Sequence, residues 1–336
     1  MNATIAAPAL DPDLAAAYQR DGFVKIPGAL TAADIELLRT AVDRQLDAFG
    51  RSKTAYDFQD LARQVWSGDD RLDARGASRF DMTRLKSAID ADPAARPLFD
   101  EAEPGAPEGR FFYDAAGWRR HSEIRQVALD SALPELAAAL LQSTYINFWE
   151  DTTFVKTPGA TQRTAFHQDY TYFQISGRKC CIVWIPLDVV DAENGALEYV
   201  RGSHQWGEEF APNLLISQTP TAASKAPRLP DIEGARSRYD IVRVDAVPGD
   251  IIVHDVFAVH GSAGNKSARR MRRAVSLRYC GDDIRYQDKP GAIVQPWVCS
   301  PPDDGAPLYS LDYPRVWPRP FPGAELSRLY DPPAAA

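Results

Sequence analysis

Residues 164–173 read TAFHQDYTYF, and whether this stretch is extended or helical decides what the chain can build. Aromatic and β-branched residues dominate it, which favours a strand. In a strand, residues i and i+2 point the same way, so His167 and Asp169 share a face and Gln168 takes the other. The chain has only five histidines. Setting one of them beside a carboxylate on a single face presents two thirds of a metal site.

Working outward, the texture from residue 145 onward is a series of short strand-like runs separated by turn residues. They are YINFWEDTTFVK, AFHQDYTYF, CCIVWIPLDVV, ALEYVRG, YDIVRVDAV, DIIVHDVFAVH and RAVSLRYC. Runs at this spacing predict an antiparallel sandwich or barrel, and they exclude a parallel sheet built with crossover helices. The polar, proline-interrupted stretch 211–238 is expected to form a long loop over one mouth of that body.

Toward the N-terminus, GFVKIPG predicts a short strand. TAADIELLRTAVDRQLDAFG, residues 31–50, predicts an amphipathic helix with a Thr31/Asp34 capping box. Residues 51–117 mix charge and proline without a period and read as a helical or irregular insertion, a candidate lid. Residues 119–144 read as two helices, with His121 on the first. Nine of the 26 prolines follow residue 300. The spacing of Tyr309, Tyr313, Trp317 and Phe321 suits an extended coil that pins aromatics onto the body, because Pro314, Pro318 and Pro320 break any helix there. The expected organisation is one catalytic domain, 1–336: a mostly helical part (1–144), a β core (145–285) and a proline-rich wrap (286–336).

A hydrophobic fraction of 45% with 25% charged residues is that of a folded enzyme-sized body. A net charge of −8 disfavours nucleic acid or an anionic membrane as the main partner. No run approaches the length of a membrane span and the start lacks a signal-peptide pattern, so the expected location is cytoplasmic. Cys180, Cys181, Cys280 and Cys299 show no C-x-x-C spacing and are expected as reduced, buried thiols. Oligomeric state is open between monomer and homodimer.

A third ligand must come from His204, His254 or His260. His260 is delivered at the end of an apolar strand beside Gly261 and Ser262. His254 lies six positions earlier and shares its face if that strand is unbroken, whereas His204 sits in a turn-like setting. Two imidazoles and one carboxylate on a β scaffold match the facial triad of non-haem Fe(II) oxygenases, which leaves three coordination positions open. A structural zinc site closes its shell and prefers cysteine. After His260 come Lys266, Arg269, Arg270, Arg272 and Arg273. One arginine among them, projecting inward from the following strand, would clamp a carboxylate with two parallel hydrogen bonds.

GFVKIPGALTAADI, FVKTPG with FHQDYTYF, VWIPLD, NGALEYVRGSH, PGD and VHGSAGNKS with RRAVS occur in this order. In these segments the sequence resembles the phytanoyl-CoA dioxygenase family of Fe(II)- and 2-oxoglutarate-dependent oxygenases over most of its length. The resemblance implies a mainly β fold, a double-stranded β-helix (jelly-roll, cupin-like) with flanking N-terminal helices. It implies that His167, Asp169 and His260 bind iron, that Arg272 binds the distal carboxylate of 2-oxoglutarate with Arg270 and Arg273 as rivals, and that Ser262, Trp184 and Thr152 help hold the co-substrate. Lys156 and His204 match family positions, the latter without being a ligand.

Hydroxylation of a small molecule by O2, with release of succinate and CO2, is the implied reaction. Desaturation, epimerisation or cyclisation by the same chemistry is the alternative. Asp169 occupies the position that related halogenases leave to chloride, which disfavours chlorination. Tyr170, Tyr172 and Phe173 follow the ligand pair as candidate substrate contacts. The competing readings are a non-catalytic cupin-like metal-binding protein, an isomerase using another metal, and a demethylase acting on nucleic acid or chromatin; each lacks a use for a buried arginine facing the metal or contradicts the acidic charge.

Overall fold

In the main sheet, apolar residues at alternate positions turn one face toward helices and leave the other toward the interior, and this alternation organises the molecule. The computed structural model describes residues 10–49, 52, 54–58, 109–213, 215, 216, 218, 225–289, 295, 297–319 and 326–330. Its strands, numbered along the chain, are β1 (Phe23–Ile26), β2 (Ala55–Asp57), β3 (Phe111–Ala115), β4 (Ile146–Lys156), β5 (Thr164–His167), β6 (Ile175–Ser176), β7 (Cys180–Pro186), β8 (Leu197–Val200), β9 (Ile241–Val244), β10 (Ile251–Asp255), β11 (His260–Ser262), β12 (Arg272–Cys280), β13 (Arg285–Tyr286) and β14 (Arg315–Trp317). The main sheet runs β1-β10-β7-β12-β4-β3-β2, with β14 also on β4. The second runs β5-β11-β8-β9, and β13 pairs with β6. These ladders are antiparallel, and the two larger sheets form a jelly-roll.

Four helices are described: α1 (Pro12–Asp21), α2 (Ala32–Asp47), α3 (Ser122–Asp130) and α4 (Leu133–Leu141). They cover the outer face of the main sheet, where Val183 of β7, Val253 of β10 and Leu277 of β12 join Leu38, Val42 and Ile124 in one apolar core. The helix start expected at Thr31 is present: Thr31 Oγ1 accepts from the Asp34 N–H at 3.2 Å and the Thr31 N–H donates to the Asp34 carboxylate at 3.0 Å. The alternate residues Ile182, Trp184, Arg272 and Arg278 face inward and line a cavity.

Several local expectations are corrected. Residues 51–117 supply strands β2 and β3, because Tyr56 and Tyr113 pair across them and Phe112 pairs with Val155 of β4; residues 59–108 lie outside the described residues, so most of that candidate lid does too. DIIVHDVFAVH is two strands: the chain turns after Asp255, whose carboxylate accepts from the Phe257 N–H at 2.8 Å, and passes from the main sheet to the second. His121 precedes α3 as its N-cap residue. Tyr313 and Trp317 pack inward as expected, but Tyr309 is exposed, and Phe321 lies outside the described residues. Cys299 is exposed whereas the other three thiols are buried. Among the described residues no helix is long and apolar enough to cross a membrane.

Candidate metal centre and its cavity

Strand β5 ends at His167. Asp169 then adopts φ −71°, ψ −32° and opens the 3-10 turn Tyr170–Tyr172. The expectation of an unbroken strand through TAFHQDYTYF is therefore wrong: a turn, not strand alternation, brings the carboxylate back beside the imidazole, with Asp169 Oδ1 3.3 Å from His167 Nε2. Gln168 fixes that turn by donating to Phe257 O at 3.1 Å and accepting from the Phe210 N–H at 3.2 Å. Pairing of β11 with β5 sets His260 opposite His167. Gly261 is needed there because a Cβ would come within 2.8 Å of Thr164 O. Ligand atoms of His167, Asp169 and His260 all lie within 4.8 Å of one another, and all three residues are buried.

The donor set suits a divalent cation. His167 Nδ1 lies 2.8 Å from Ala165 O and His260 Nδ1 3.0 Å from Ala258 O. Each Nδ1–H therefore donates to a carbonyl, leaving the Nε2 lone pair for a metal. Burial, with His167 and His254 nearby, pushes the His260 pKa well below the usual range and keeps it neutral. Burial would raise the Asp169 pKa, but the imidazoles of His167, His254 and His260 around it hold it well below the usual carboxylate range. Two imidazoles and one carboxylate, with no fourth protein donor grouped with them among the described residues, leave coordination positions free.

His254, the rival ligand at sequence level, sits behind the carboxylate. Its Nε2 is 3.4 Å from Asp169 Oδ2, and its Nδ1 is 2.9 Å from Tyr199 Oη. The Nε2–H donates to Asp169 and Nδ1 accepts from the tyrosine. His204 stays outside the cavity, with Nε2 3.1 Å from Gln19 O.

The five cations after His260 separate by partner. Arg270 grips Asp191 through two hydrogen bonds of 2.8 and 2.9 Å, and Arg273 grips Asp188 and Asp43. Lys266 and Arg269 are exposed. Arg272 alone is buried, at 2% exposure, and it lines the cavity that holds the metal group. Its Nε donates to Gly195 O at 3.2 Å and its guanidinium lies 5.0 Å over the Trp184 ring. Burial lowers its pKa to about 10, which still leaves it charged at neutral pH.

Of the other expected co-substrate residues, Trp184 lines the cavity. Ser262 and Thr152 are buried: Ser262 Oγ accepts from Lys156 Nζ at 2.9 Å, and Thr152 Oγ1 accepts from Arg278 at 2.6 Å. Burial, then Arg272 and Arg163, push the Lys156 pKa well below its usual value. Tyr172 and Phe173 line the cavity, with Tyr172 Oη held by Asn213 of the 211–238 loop. Tyr170 instead stacks on Phe257 at 4.1 Å and carries Lys289 Nζ over its ring. Sequence reasoning did not single out Tyr199, Trp149, Glu150, Gln295 or Arg278; only the inward parity of β4, β8 and β12 could have pointed to most of them.

The family model for phytanoyl-CoA dioxygenase matches residues 18–274. A phytanoyl-CoA dioxygenase domain-containing protein 1 homolog from Caenorhabditis elegans is 23% identical over 269 residues, 76% of this chain and 86% of that protein. Among solved structures, the non-heme α-ketoglutarate-dependent carbocyclase SnoK from nogalamycin biosynthesis has a TM-score of 0.61 at 20% identity and covers 94% of this chain and 100% of its own. The epimerase SnoN of the same biosynthesis has a TM-score of 0.60 at 20% identity, over 91% of this chain and 100% of its own. EctD from S. alaskensis, solved with 2-oxoglutarate and 5-hydroxyectoine, has a TM-score of 0.56 at 19% identity, over 91% and 88%. Those likenesses speak for the fold; the family match spans more than half of the sequence and takes in His167, Asp169 and His260, and the chain belongs to the phytanoyl-CoA dioxygenase family.

Proposed function

We propose that the chain is an Fe(II)- and 2-oxoglutarate-dependent dioxygenase that hydroxylates an unactivated C–H bond of a small molecule. The observation that carries this is a two-histidine, one-carboxylate group sharing a cavity with a buried arginine that no carboxylate neutralises among the described residues. His167, Asp169 and His260 would hold the metal, and Arg272 would take the distal carboxylate of 2-oxoglutarate. Bound iron supplies O2 activation coupled to decarboxylation of 2-oxoglutarate to succinate and CO2.

The protein's part is orientation and exclusion of water. Trp184 and Leu197 wall the co-substrate side, and Lys156 fixes Ser262 by hydrogen bonding. Tyr172 and Leu215 also line the cavity, and the Ala165 N–H donates to Leu215 O at 2.6 Å. A substrate enclosed there meets the metal's open positions away from bulk water. Solved relatives of similar fold are described as an epimerase and a carbocyclase, so retention of one oxygen atom from 18O2 in the product is the measurement that separates hydroxylation from those outcomes.

Anaerobic addition of Fe(II) and 2-oxoglutarate is expected to give a weak visible charge-transfer band, abolished in His167→Ala and shifted to higher 2-oxoglutarate concentration in Arg272→Ala. An unchanged band in His167→Ala would overturn the ligand assignment.

A further inference from the structure

Strand β12 carries a second buried guanidinium toward the cavity. Arg272, Ala274, Ser276 and Arg278 alternate along its inward face, so Arg278 lies three same-face steps from the clamp. At about 3.3 Å per residue the two Cα atoms are roughly 20 Å apart, whereas C–C bonds of about 1.5 Å limit a five-carbon diacid to roughly 6 Å. A co-substrate held at Arg272 leaves Arg278 free. Cross-strand register places Arg278 level with Ile182 and, one strand further, His254, which touches Asp169. Arg278 therefore stands in the row of residues beside the metal group.

Its bonding is incomplete in a specific way. Arg278 is 6% exposed and lines the cavity. Nη1 donates to Thr152 Oγ1 at 2.6 Å, while Nε is buried without a partner. Among the described residues no carboxylate lies within ion-pair distance of it. The edge formed by Nε and Nη2 is the one through which Arg273 holds Asp188, at 3.1 and 2.8 Å. In Arg278 that two-pronged edge is unused. A buried charge with an unpaired edge is costly to fold unless a ligand completes it.

The surroundings define the ligand further. Trp149 and Phe173 line the cavity with ring centroids 5.8 Å apart, the Arg278 guanidinium lies 5.4 Å over the Phe173 ring, and the indole N–H of Trp149 is also buried without a partner. Trp149 is backed by Tyr313 at 4.8 Å in a stacked arrangement. Glu150, directly across from Arg278 in the ladder, accepts from Gln295 Nε2 at 2.6 Å and disfavours any negative charge on the ligand beyond the single one that Arg278 neutralises.

We propose that Arg278 is the substrate anchor, binding the carboxylate of a small organic monoacid through its Nε–Nη2 edge, with the acid's aromatic or alicyclic body packed on Trp149 and Phe173. This rests on the oxygenase reading above and names the substrate class for that site.

The test uses the full chain, anaerobic, with Fe(II) and saturating 2-oxoglutarate. Calorimetry compares small aromatic and alicyclic monocarboxylates with their primary amides, 3-phenylpropanoate against 3-phenylpropanamide among them, and includes phenyl phosphate. Acids are expected to bind at least about tenfold more tightly than amides, since a charge-assisted bidentate pair is lost with the amide. R278Q should erase that difference, and R272A, run in parallel, should retain it, which separates the anchor from the co-substrate clamp. The charge-transfer band forming in both wild type and R278Q shows that the metal and co-substrate reading stands independently; its absence in wild type would sink that reading alone. If R278Q does not fold, R278K carries the test, because it keeps the charge without the fork and should lose most of the preference. Acids that bind no better than amides, no acid binding at all, a preference surviving in R278Q, or phosphate binding more tightly than carboxylate would each overturn the proposal.

Discussion

At the scale of single residues, the Asp169 carboxylate is positioned by a histidine that is not itself one of the three grouped donors. Tyr199 Oη holds His254 Nδ1 at 2.9 Å, and His254 Nε2 faces Asp169 Oδ2 at 3.4 Å. This leaves Oδ1 on the side of His167. Partners of this kind orient a ligand, and their loss costs about 10- to 100-fold in metal affinity. His254→Leu is therefore expected to weaken Fe(II) binding by that factor in a chelator competition while His167 and His260 stay in place; an unchanged affinity would mean that the turn alone holds Asp169. The adjacent Asp255 is a different kind of group. Burial pushes its pKa up to about 7, against the opposing pull of the Phe257 N–H and Arg178. The folded chain thus keeps this proton longer than the unfolded chain, whose aspartates titrate near about 3.9. Its contribution to stability is complete below that value and is lost as pH rises toward 7, at up to about 1.4 kcal/mol per pH unit. Asp255→Asn removes the titration and keeps an acceptor for Phe257, so the melting temperature of the wild type should fall relative to the variant between pH 5 and 7. Parallel melting curves across that range would contradict the shift.

At the scale of elements, β12 shows how one strand divides its labour. Leu277 points out into the helix-covered core with no exposure, while Ser276 points into the cavity. Leu277→Ala is expected to cost about 2–5 kcal/mol in denaturant unfolding. Ser276→Ala should cost far less, and equal losses would refute the division. This two-fold period is local, and for that reason β4, β7, β8, β10 and β12 were legible from runs such as CCIVWIPLDVV and RAVSLRYC. The capping box at Thr31 was legible for the same reason. In the H-x-D segment the histidine and carboxylate meet through a turn and not through strand alternation, because the turn at Gln168 is imposed by Phe257 and Phe210, remote in sequence. The choice among the arginines was equally illegible: Asp188, Asp191 and Asp43, which occupy Arg273 and Arg270, come from other elements. Arg278 escaped notice because alternation tells which way a side chain points but not whether it meets core or cavity.

At the scale of the whole molecule, the proline-rich C-terminal segment closes the fold. Asp312 accepts from the Cys299 and Ser300 N–H groups and from Arg119 at 2.6 Å, and Arg315 donates to Asn147 of β4 at 2.7 Å. The Asp130 carboxylate at the end of α3 accepts from the Leu326 and Ser327 N–H groups. Leu308, Tyr313, Val316 and Leu326 are buried. At about 1.5–3 kcal/mol each, these four side chains contribute at most roughly 6–12 kcal/mol, an upper bound because unfolded chains already bury some apolar surface. That is comparable to the entire stability of an ordinary domain, about 5–15 kcal/mol. A chain ending at Ser300 should therefore lose its cooperative thermal transition or show it at a much lower temperature. Tyr313→Ala, which removes the ring stacked on Trp149 and the hydroxyl that donates to Gln295 Oε1 at 2.8 Å, should lose about 3–5 kcal/mol and keep a single transition. If the shortened chain melted like the full one, the segment would be a passive cover, and the wall behind Trp149 would have to be held by β4 alone.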